Sequence, residues 1–455
     1  MKRKEVNMLS GSIVKGLLTI AIPIMVMNII QSLFNIIDMS ILKTYDAGDG
    51  IAVGAVGVCS TLITLITSLV IGVSTGANVV IAKNIGRRDK DALDRSIGSA
   101  MAFSITAGMG LALIGVCFAK LFLHWTNCPA ELLIQATIYF RLYFLGIPIL
   151  MVYYFCSSIL QASGDSRRPM IFMTLVGALK LVFSYVLIAK FQMGVKGVAI
   201  ATIISWSFLA FLGLFVLIRS KTTVKIDVAN IRFYKTETNQ MLYIGIPAGL
   251  QSALYSVANV IITATVNTFG TEATTGISIA NIYDGILYQI STATAIAVMP
   301  YVSQNMGSGN IKRAVKSVWI GIGITVCLGG FFGALSALSA TQLSSFLSAD
   351  PLVIEYARQK MVIISSTYFI YGISEILGAA LRGMGKPIPA TVTALLYMCV
   401  FRFVWVYLIF PLMPTLTFLY SVWPISWILS IGTLTPILFS AVKKFALMCG
   451  IVTAS

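Results

Sequence analysis

The sequence predicts an all-helical membrane protein with twelve spans, arranged as two similar six-helix bundles. Of its 455 residues, 58% are hydrophobic and only 11% are charged, and the mean hydropathy is +0.91. A soluble globular protein has about 25% charged residues, so this chain has too few charges to cover a surface in water. Long apolar runs without period-two alternation favour helices over an outer-membrane barrel. Three blocks of sequence recur in the second half, which predicts the two bundles.

Twelve apolar segments are long enough to cross a bilayer, because a spanning helix needs about 20 predominantly apolar residues. The first segment is too long for the apolar core of a signal peptide, and no clean small-residue cleavage site follows it. The predicted helices 1 to 12 cover the ranges 16–42, 52–81, 96–121, 133–159, 170–190, 194–218, 240–267, 274–302, 315–340, 352–381, 387–411 and 415–441.

The distribution of lysine and arginine predicts the orientation of the chain. Of the 32 basic residues, 23 lie near the two termini or in the loops after predicted helices 2, 4, 6, 8 and 10, and only 4 lie in the other loops. Because positive loops stay in the cytoplasm, both termini are expected there, in a bacterial plasma membrane. The net charge of +16 results from these basic loops, and we interpret their role as orienting the chain and contacting anionic membrane lipids rather than as binding nucleic acid.

The residue inventory argues against an enzyme and against a cofactor. The chain has a single histidine, His124, so zinc sites with several histidines and haem with two histidine ligands are excluded. The seven cysteines include no CxxC motif, and most lie in apolar segments, where cysteine is usually a small apolar residue. The sequence has no Walker-type phosphate loop, so transport would draw its energy from an ion gradient.

The internal repeat is carried by three blocks in one order. The block at 22–41 aligns with 246–265 at an offset of 224, and blocks that begin at 84 and 160 align with segments that begin at 305 and 381, at an offset of 221. Each half starts on the same side of the membrane, so the repeats are parallel. The predicted domains are an amino-terminal lobe, a cytoplasmic linker and a carboxy-terminal lobe, at 1–218, 219–239 and 240–455.

The same blocks resemble the multidrug and toxic compound extrusion (MATE) family over roughly residues 10–440. The resemblance rests on "NIGRRDKDA" and "NMGSGNIKRA" after predicted helices 2 and 8, on "LQASGDSRRP" and "LRGMGKP" after helices 4 and 10, and on "FNIIDMSIL" in helix 1. It implies a V-shaped pair of bundles in a monomer. It also implies antiport of cationic or amphipathic small molecules, such as drugs, against inward protons or sodium by alternating access.

Asp38 is the leading candidate for cation coupling, because an ionisable group inside a membrane span is costly and is a functional candidate by default. Asn28, Gln31 and Asn35 precede it at helical spacing and share its face. Such a carboxylate can exchange a proton, or it can supply a hard oxygen ligand to sodium with the amide oxygens. The resemblance implies the same role, because Asp38 matches the first-helix aspartate of the family.

Lys180 and Ser184 mark a departure from the family. Many members have asparagine and aspartate at these two positions of helix 5, as part of a cation site. A buried lysine near Asp38 would either form an ion pair with it or lose its proton, unless the side chain faces elsewhere. Lys180 could therefore replace a bound sodium ion or join a proton relay, and the sodium site of the family is in doubt here.

The second half offers candidates for the substrate or a second cation site. Asp284 and Glu375 are acids inside predicted helices 8 and 10, and Arg402 in helix 11 is their expected partner because an unpaired guanidinium would be costly. By resemblance, Tyr255 takes the position of a helix-7 glutamate. The candidates are Gln251, Tyr255, Asn259, Asp284, Tyr371, Glu375 and Arg402.

Alternatives stay open at this point. A related flippase or exporter of lipid-linked or amphipathic metabolites would have a more cationic interior, which Lys180, Arg402 and Arg141 slightly favour, although its relatives usually have extra helices. A major-facilitator transporter also has 6 + 6 helices, but the loop at 84–95 lacks its motif spacing. An enzyme would have no metal cluster or phosphate loop to work with.

Overall fold

The computed structural model describes residues 6–45, 50–126, 128–220 and 222–448, and within helices it leaves out the side chains of Asn35, Thr61, Ser256, Val257 and Met448. The described residues form helices and connecting turns, with no strand among them. Twelve helices are long and apolar enough to cross a membrane, which confirms the predicted fold class. The protein is therefore a multi-pass membrane protein.

The twelve helices match the predicted spans in order and in approximate position. We number them α1 to α12 as follows: Ile13–Tyr45, Ile51–Arg87, Lys90–Trp125, Ala130–Ala162, Arg167–Lys190, Gly194–Ile218, Lys235–Asn267, Thr271–Gly307, Ile311–Leu338, Pro351–Gly383, Pro387–Leu412 and Leu416–Leu447. A short extra helix, Ala340–Ser345, lies between α9 and α10. Several helices extend up to six residues beyond the apolar segment, because their polar end turns carry no hydropathy signal.

The turns that follow α2 and α8 show the internal repeat in the structure. Arg88 and Gly309 both adopt left-handed backbone, with φ angles of 57° and 77°, and lie 221 residues apart (309 − 88). Asp89 then caps α3 and Asn310 caps α9, each accepting a hydrogen bond from a backbone N–H three residues on, at 2.9 and 3.2 Å. Because a side chain at a helix start satisfies an otherwise unpaired N–H, these caps fix where both helices begin.

Two helices contain wider π-helical turns. The end of α5, Val186–Lys190, is π-helical, and α11 contains two such segments, Leu395–Val400 and Trp405–Ile409. Only four residues of ordinary α-helix, Phe401–Val404, separate the two segments in α11. Single π turns inside α-helices occur frequently at functional sites. Hydropathy cannot reveal them, and the sequence analysis did not predict them.

The described chain divides into two compact units. Unit 1 contains Val6 and residues 26–249, and unit 2 contains residues 7–25 and 250–448. The divisions therefore fall inside α1 and inside α7. The predicted lobe boundaries at 218 and 240 follow the sequence repeat and stay a prediction.

Each unit is built around one central helix. Each unit also contains the start of the first helix from the other half of the sequence. In unit 1, α4 packs against α2, α3 and α6, and in unit 2, α10 packs against α8, α9 and α12. Arg95 of α3 forms a 2.8 Å ion pair with Glu237 at the start of α7. In unit 2, Arg313 of α9 donates from Nε to the Met8 carbonyl, just before α1, at 2.9 Å.

Glycines allow α2 and the start of α7 to approach closely within unit 1. A Cβ atom on Gly76 would overlap the backbone carbonyl of Met241, and one on Gly245 would lie 2.6 Å from the carbonyl oxygen of Val73. Backbone atoms cannot move aside as a flexible side chain can. These two helices therefore need glycine where they touch.

We expect Gly76→Ala to destabilise the protein by about 1–3 kcal/mol, because the added methyl group has no space between α2 and α7. Gly110→Ala is the matched control, since a Cβ there meets nothing within 4 Å. Thermal unfolding of the purified variants in detergent measures both. Equal melting temperatures for the two variants would contradict the close approach of α2 and α7.

Candidate coupling and substrate sites

In unit 1, Asp38 and Lys180 form a buried ion pair between α1 and α5. The distance from Lys180 Nζ to Asp38 Oδ2 is 2.5 Å, and the two side chains are 15% and 5% exposed. Close packing one turn earlier brings them together, because Phe34 of α1 lies directly on Gly177 of α5, where a Cβ would overlap the ring. Of the alternatives for Lys180, the structure shows the ion pair.

Polar atoms beside this pair are left without partners. Asp38 Oδ1 and the Ser184 hydroxyl are buried and have no hydrogen-bond partner within the described chain. Ser184 lies one helical turn after Lys180, as the sequence spacing predicts. The side chain of Asn35 lies outside the described residues, so its role in cation coupling stays a prediction. The pair thus retains one free carboxylate oxygen and has an unused hydroxyl on the same helix as the lysine.

In unit 2, Asp284 of α8 pairs with Lys360 of α10, which the sequence analysis did not single out. Lys360 Nζ lies 3.0 Å from Asp284 Oδ2 and also donates to Asn281 Oδ1, while the Ser365 hydroxyl donates to Asp284 Oδ1 at 3.1 Å. The lysine side chain is only 4% exposed. A lysine eight residues inside a predicted span was the available signal, by the same rule that identified Lys180.

Glu375 has its partner on its own helix. Arg382 in the last turn of α10 lies 2.7 Å from Glu375 Oε1 and donates to Gln251 Oε1 of α7 at 3.2 Å. The predicted span ends at residue 381, which places Arg382 in the following loop, but the structure buries this side chain. The expectation that Arg402 pairs with Asp284 or Glu375 is wrong, because Lys360 and Arg382 already occupy those positions.

Arg402 is buried without an acidic partner. It is 1% exposed, and Nη1 donates to Asn259 Oδ1 of α7 at 3.0 Å. Its guanidinium carbon lies 5.3 Å from the centre of the Tyr255 ring and 5.5 Å from that of Trp423. Nε and Nη2 have no hydrogen-bond partner in the described part of the chain. Cation–π contacts offset only part of the cost of burying a charge.

Aromatic rings connect these charged groups. The rings of Tyr255, Tyr288 and Tyr371 lie with their centres 5.8 to 6.4 Å apart, and Trp427 packs 5.6 Å from Tyr371. The predicted second-half residues therefore come together in one aromatic and charged region of unit 2, with Lys360 and Arg382 added to them. No group of three or more potential metal ligands was found among the described histidine, cysteine, aspartate and glutamate residues.

The MatE family model matches residues 23–186 and 247–408, one match in each half. The chain belongs to the MATE family. Its two matched segments begin 224 residues apart (247 − 23), which is the offset of the first repeated block. Membership makes this MATE protein a membrane transporter of small molecules rather than an enzyme.

Relatives of this MATE protein are similar over most of their length. It is 24% identical over 382 residues to the "Probable multidrug resistance protein YoeA" of Bacillus subtilis, covering 82% of each chain. A solved outward-facing multidrug resistance MATE transporter of the MOP superfamily superimposes with a TM-score of 0.89 at 20% identity, covering 98% of this chain and 100% of the other.

A second solved structure is a MOP superfamily transporter from Pyrococcus furiosus. It superimposes with a TM-score of 0.85 at 19% identity and covers 98% of this chain and 99% of the other. That transporter is described as having a binding pocket of reverse polarity, which suggests a different function for it. At these identities the two structures support the fold of this MATE protein.

We expect Asp38→Asn and Lys180→Met each to destabilise this MATE protein by about 3–5 kcal/mol, because each leaves one buried charge without its partner. The double variant should recover at least half of that loss, since it buries neither charge. Thermal unfolding in detergent gives the double-mutant cycle. Glu355→Gln is the control, because the Glu355 side chain is 42% exposed and its partners Arg358 and Gln359 lie within one turn on the same helix. Strictly additive losses would contradict the ion pair.

Proposed function

We propose that this MATE transporter exports drug-like or amphipathic small molecules by alternating access, in exchange for inward protons. The observation that carries the choice of ion is the buried pair between Asp38 and Lys180. Family membership supports transport of small molecules, and similarity to probable multidrug resistance proteins such as YoeA supports drug export.

The lysine stands where a coupling cation would bind. Its ammonium lies 2.5 Å from Asp38 and places a positive charge there on a covalently attached side chain. A sodium ion would have to displace this covalently attached cation before it could use the carboxylate. A proton needs no such space, because it can bind to the carboxylate itself.

Protonation of Asp38 would give the transporter two states. When the carboxylate is charged, it holds Lys180 and ties α1 to α5. When it is protonated, the attraction is lost, and the lysine, already 15% exposed, turns towards water. Breaking a buried ion pair changes the free energy by several kcal/mol. That is enough to account for coupling between two sites, which typically amounts to about 1–3 kcal/mol.

The pairing of the acids bears on the substrate. Organic cations are the substrate class implied by the family resemblance, and they stay a prediction. However, Asp38, Asp284 and Glu375 are each paired with a basic side chain, so none of them presents an unbalanced negative charge to a cation. This supports the alternative substrate class, amphipathic metabolites, more than it supports cations. The reversed polarity named for the Pyrococcus transporter is consistent with such variation.

We further propose that the protein acts as a monomer in a bacterial plasma membrane, with both termini in the cytoplasm. The support is the concentration of basic residues in alternate loops. No cofactor is needed, because the ion gradient supplies the energy.

Transport by the purified protein in lipid vesicles tests the proposal. We expect a proton gradient to drive transport and a sodium gradient to have no effect, because Lys180 occupies the cation position. Ethidium, an organic cation, and carboxyfluorescein, an aromatic anion, would be measured in parallel by fluorescence. Asp38→Asn should reduce proton-driven transport at least tenfold. Glu355→Gln, which removes an exposed carboxylate, should not reduce it.

Transport driven by sodium with the proton gradient collapsed would contradict the role of the ion pair. Transport that needs neither gradient would instead favour a flippase for lipid-linked compounds. The ratio of ethidium to carboxyfluorescein transport separates the two substrate classes in the same experiment.

A further inference from the structure

Arg402 carries a positive charge that the described part of unit 2 does not balance. The buried acids Asp284 and Glu375 are matched by Lys360 and Arg382, which leaves the guanidinium of Arg402 as the surplus cation. An ionised group in a membrane interior costs several kcal/mol unless it has a partner of opposite charge. Such a charge is retained where a ligand supplies the partner.

The internal repeat shows which partner is missing. Lys180 in α5 and Arg402 in α11 lie 222 residues apart (402 − 180), within the offsets of 221 to 224 of the repeated blocks. Each contacts the first helix of its half: Lys180 binds the carboxylate of Asp38 in α1, and Arg402 binds the amide of Asn259 in α7. In the aligned first block Asn259 corresponds to Asn35 and Ile262 to Asp38, so α7 has an apolar residue where α1 has the acid, and Arg402 contacts a neutral amide instead.

The unsatisfied atoms of Arg402 have the geometry of an anion receptor. Nε and Nη2 form one edge of the planar guanidinium, and neither has a hydrogen-bond partner among the described residues, whereas Nη1 is held by Asn259. Two parallel N–H groups on one edge match the two oxygens of a carboxylate. The Tyr255 and Trp423 rings beside the guanidinium offer flat apolar surface to an aromatic group.

Helix α11 has a feature that would let this edge open. The edge is closed to water in this structure, and Arg402 lies on the four α-helical residues between two π-helical segments. A π turn contains one more residue than an α turn. Conversion of either segment to α-helix would rotate the residues between them without breaking the helix.

We propose that Arg402, oriented by Asn259 and flanked by Tyr255 and Trp423, binds the carboxylate of an aromatic substrate. The single surplus charge matches a monoanion, whereas a doubly charged phosphate would leave a negative charge unbalanced. The inference deepens the proposed transport function and rests on it for the identification of the ligand as a substrate. Arg402 holds the substrate, while Asp38 and Lys180 in unit 1 handle the proton.

Binding to the purified full-length protein in detergent tests this site without any gradient. We expect 2-naphthoate to bind at least tenfold more tightly than its neutral counterpart 2-naphthamide, as measured by calorimetry. Arg402→Gln should abolish that preference, and Arg402→Lys should retain a part of it, because lysine keeps the charge but not the two-pronged edge. Arg141→Gln is the control, since it removes an exposed arginine from α4 of unit 1.

Asn259→Asp is the sharper variant, because it keeps Arg402 and places an acid directly beside its guanidinium. The new carboxylate should pair with the guanidinium, raise the melting temperature and weaken naphthoate binding at least tenfold. This variant also keeps the test decisive if Arg402→Gln fails to fold. Unchanged naphthoate affinity in Asn259→Asp, or equal affinity of the wild type for naphthoate and naphthamide, would overturn the proposal.

The two proposals fail in different ways. Asp38→Asn should lose proton-driven transport and keep the wild-type affinity for naphthoate. A wild-type protein that shows proton-driven transport but binds naphthoate and naphthamide equally would reject the Arg402 site alone. Sodium-driven transport by a protein that still prefers naphthoate would reject the proton coupling alone.

Discussion

A charge inside the hydrocarbon layer must have a partner, and this constraint organises the interior of both units. Asp38 with Lys180, Asp284 with Lys360, and Glu375 with Arg382 are each joined at 3.0 Å or less. Two of these pairs join different helices, α1 with α5 and α8 with α10, so they set how those helices are rotated about their axes. Arg402 alone among these buried groups contacts an amide and aromatic rings in place of an acid.

Packing and charge support each other at the paired helices. Phe34 lies on Gly177 one turn before Asp38 and Lys180 meet, so the glycine makes the ion pair geometrically accessible. In unit 2 the corresponding helix is interrupted by π turns on both sides of its cation. The two halves thus share one arrangement of helices but differ in local pitch and in charge balance. That difference is what gives unit 1 and unit 2 separate roles in the proposed transport cycle.

The sequence predicted what depends on hydropathy and on pattern. Twelve spans and the helix positions of the candidate residues followed from apolar length and from the repeat, because both leave a local signal. Ion-pair partners depend on how helices are rotated against each other, which has no local signal, so Arg402 was assigned to the wrong acids. Lys360 was missed although a lysine inside a span is visible in the sequence. The π turns of α5 and α11 arise from packing and could not be predicted from composition.

The division of the units inside α1 and α7 means that neither half of the sequence is complete by itself. A polypeptide ending at 218 would lack residues 235–249, which belong to unit 1, and would carry residues 13–25, which belong to unit 2. Separately expressed halves would therefore behave as the fragments of a split protein. We expect them to fold only when both are present, because each half contains a segment of the other half's unit. A half-length ancestor with this arrangement would have been a dimer whose subunits exchanged the first part of their first helices, and fusion of two gene copies would have made that exchange permanent.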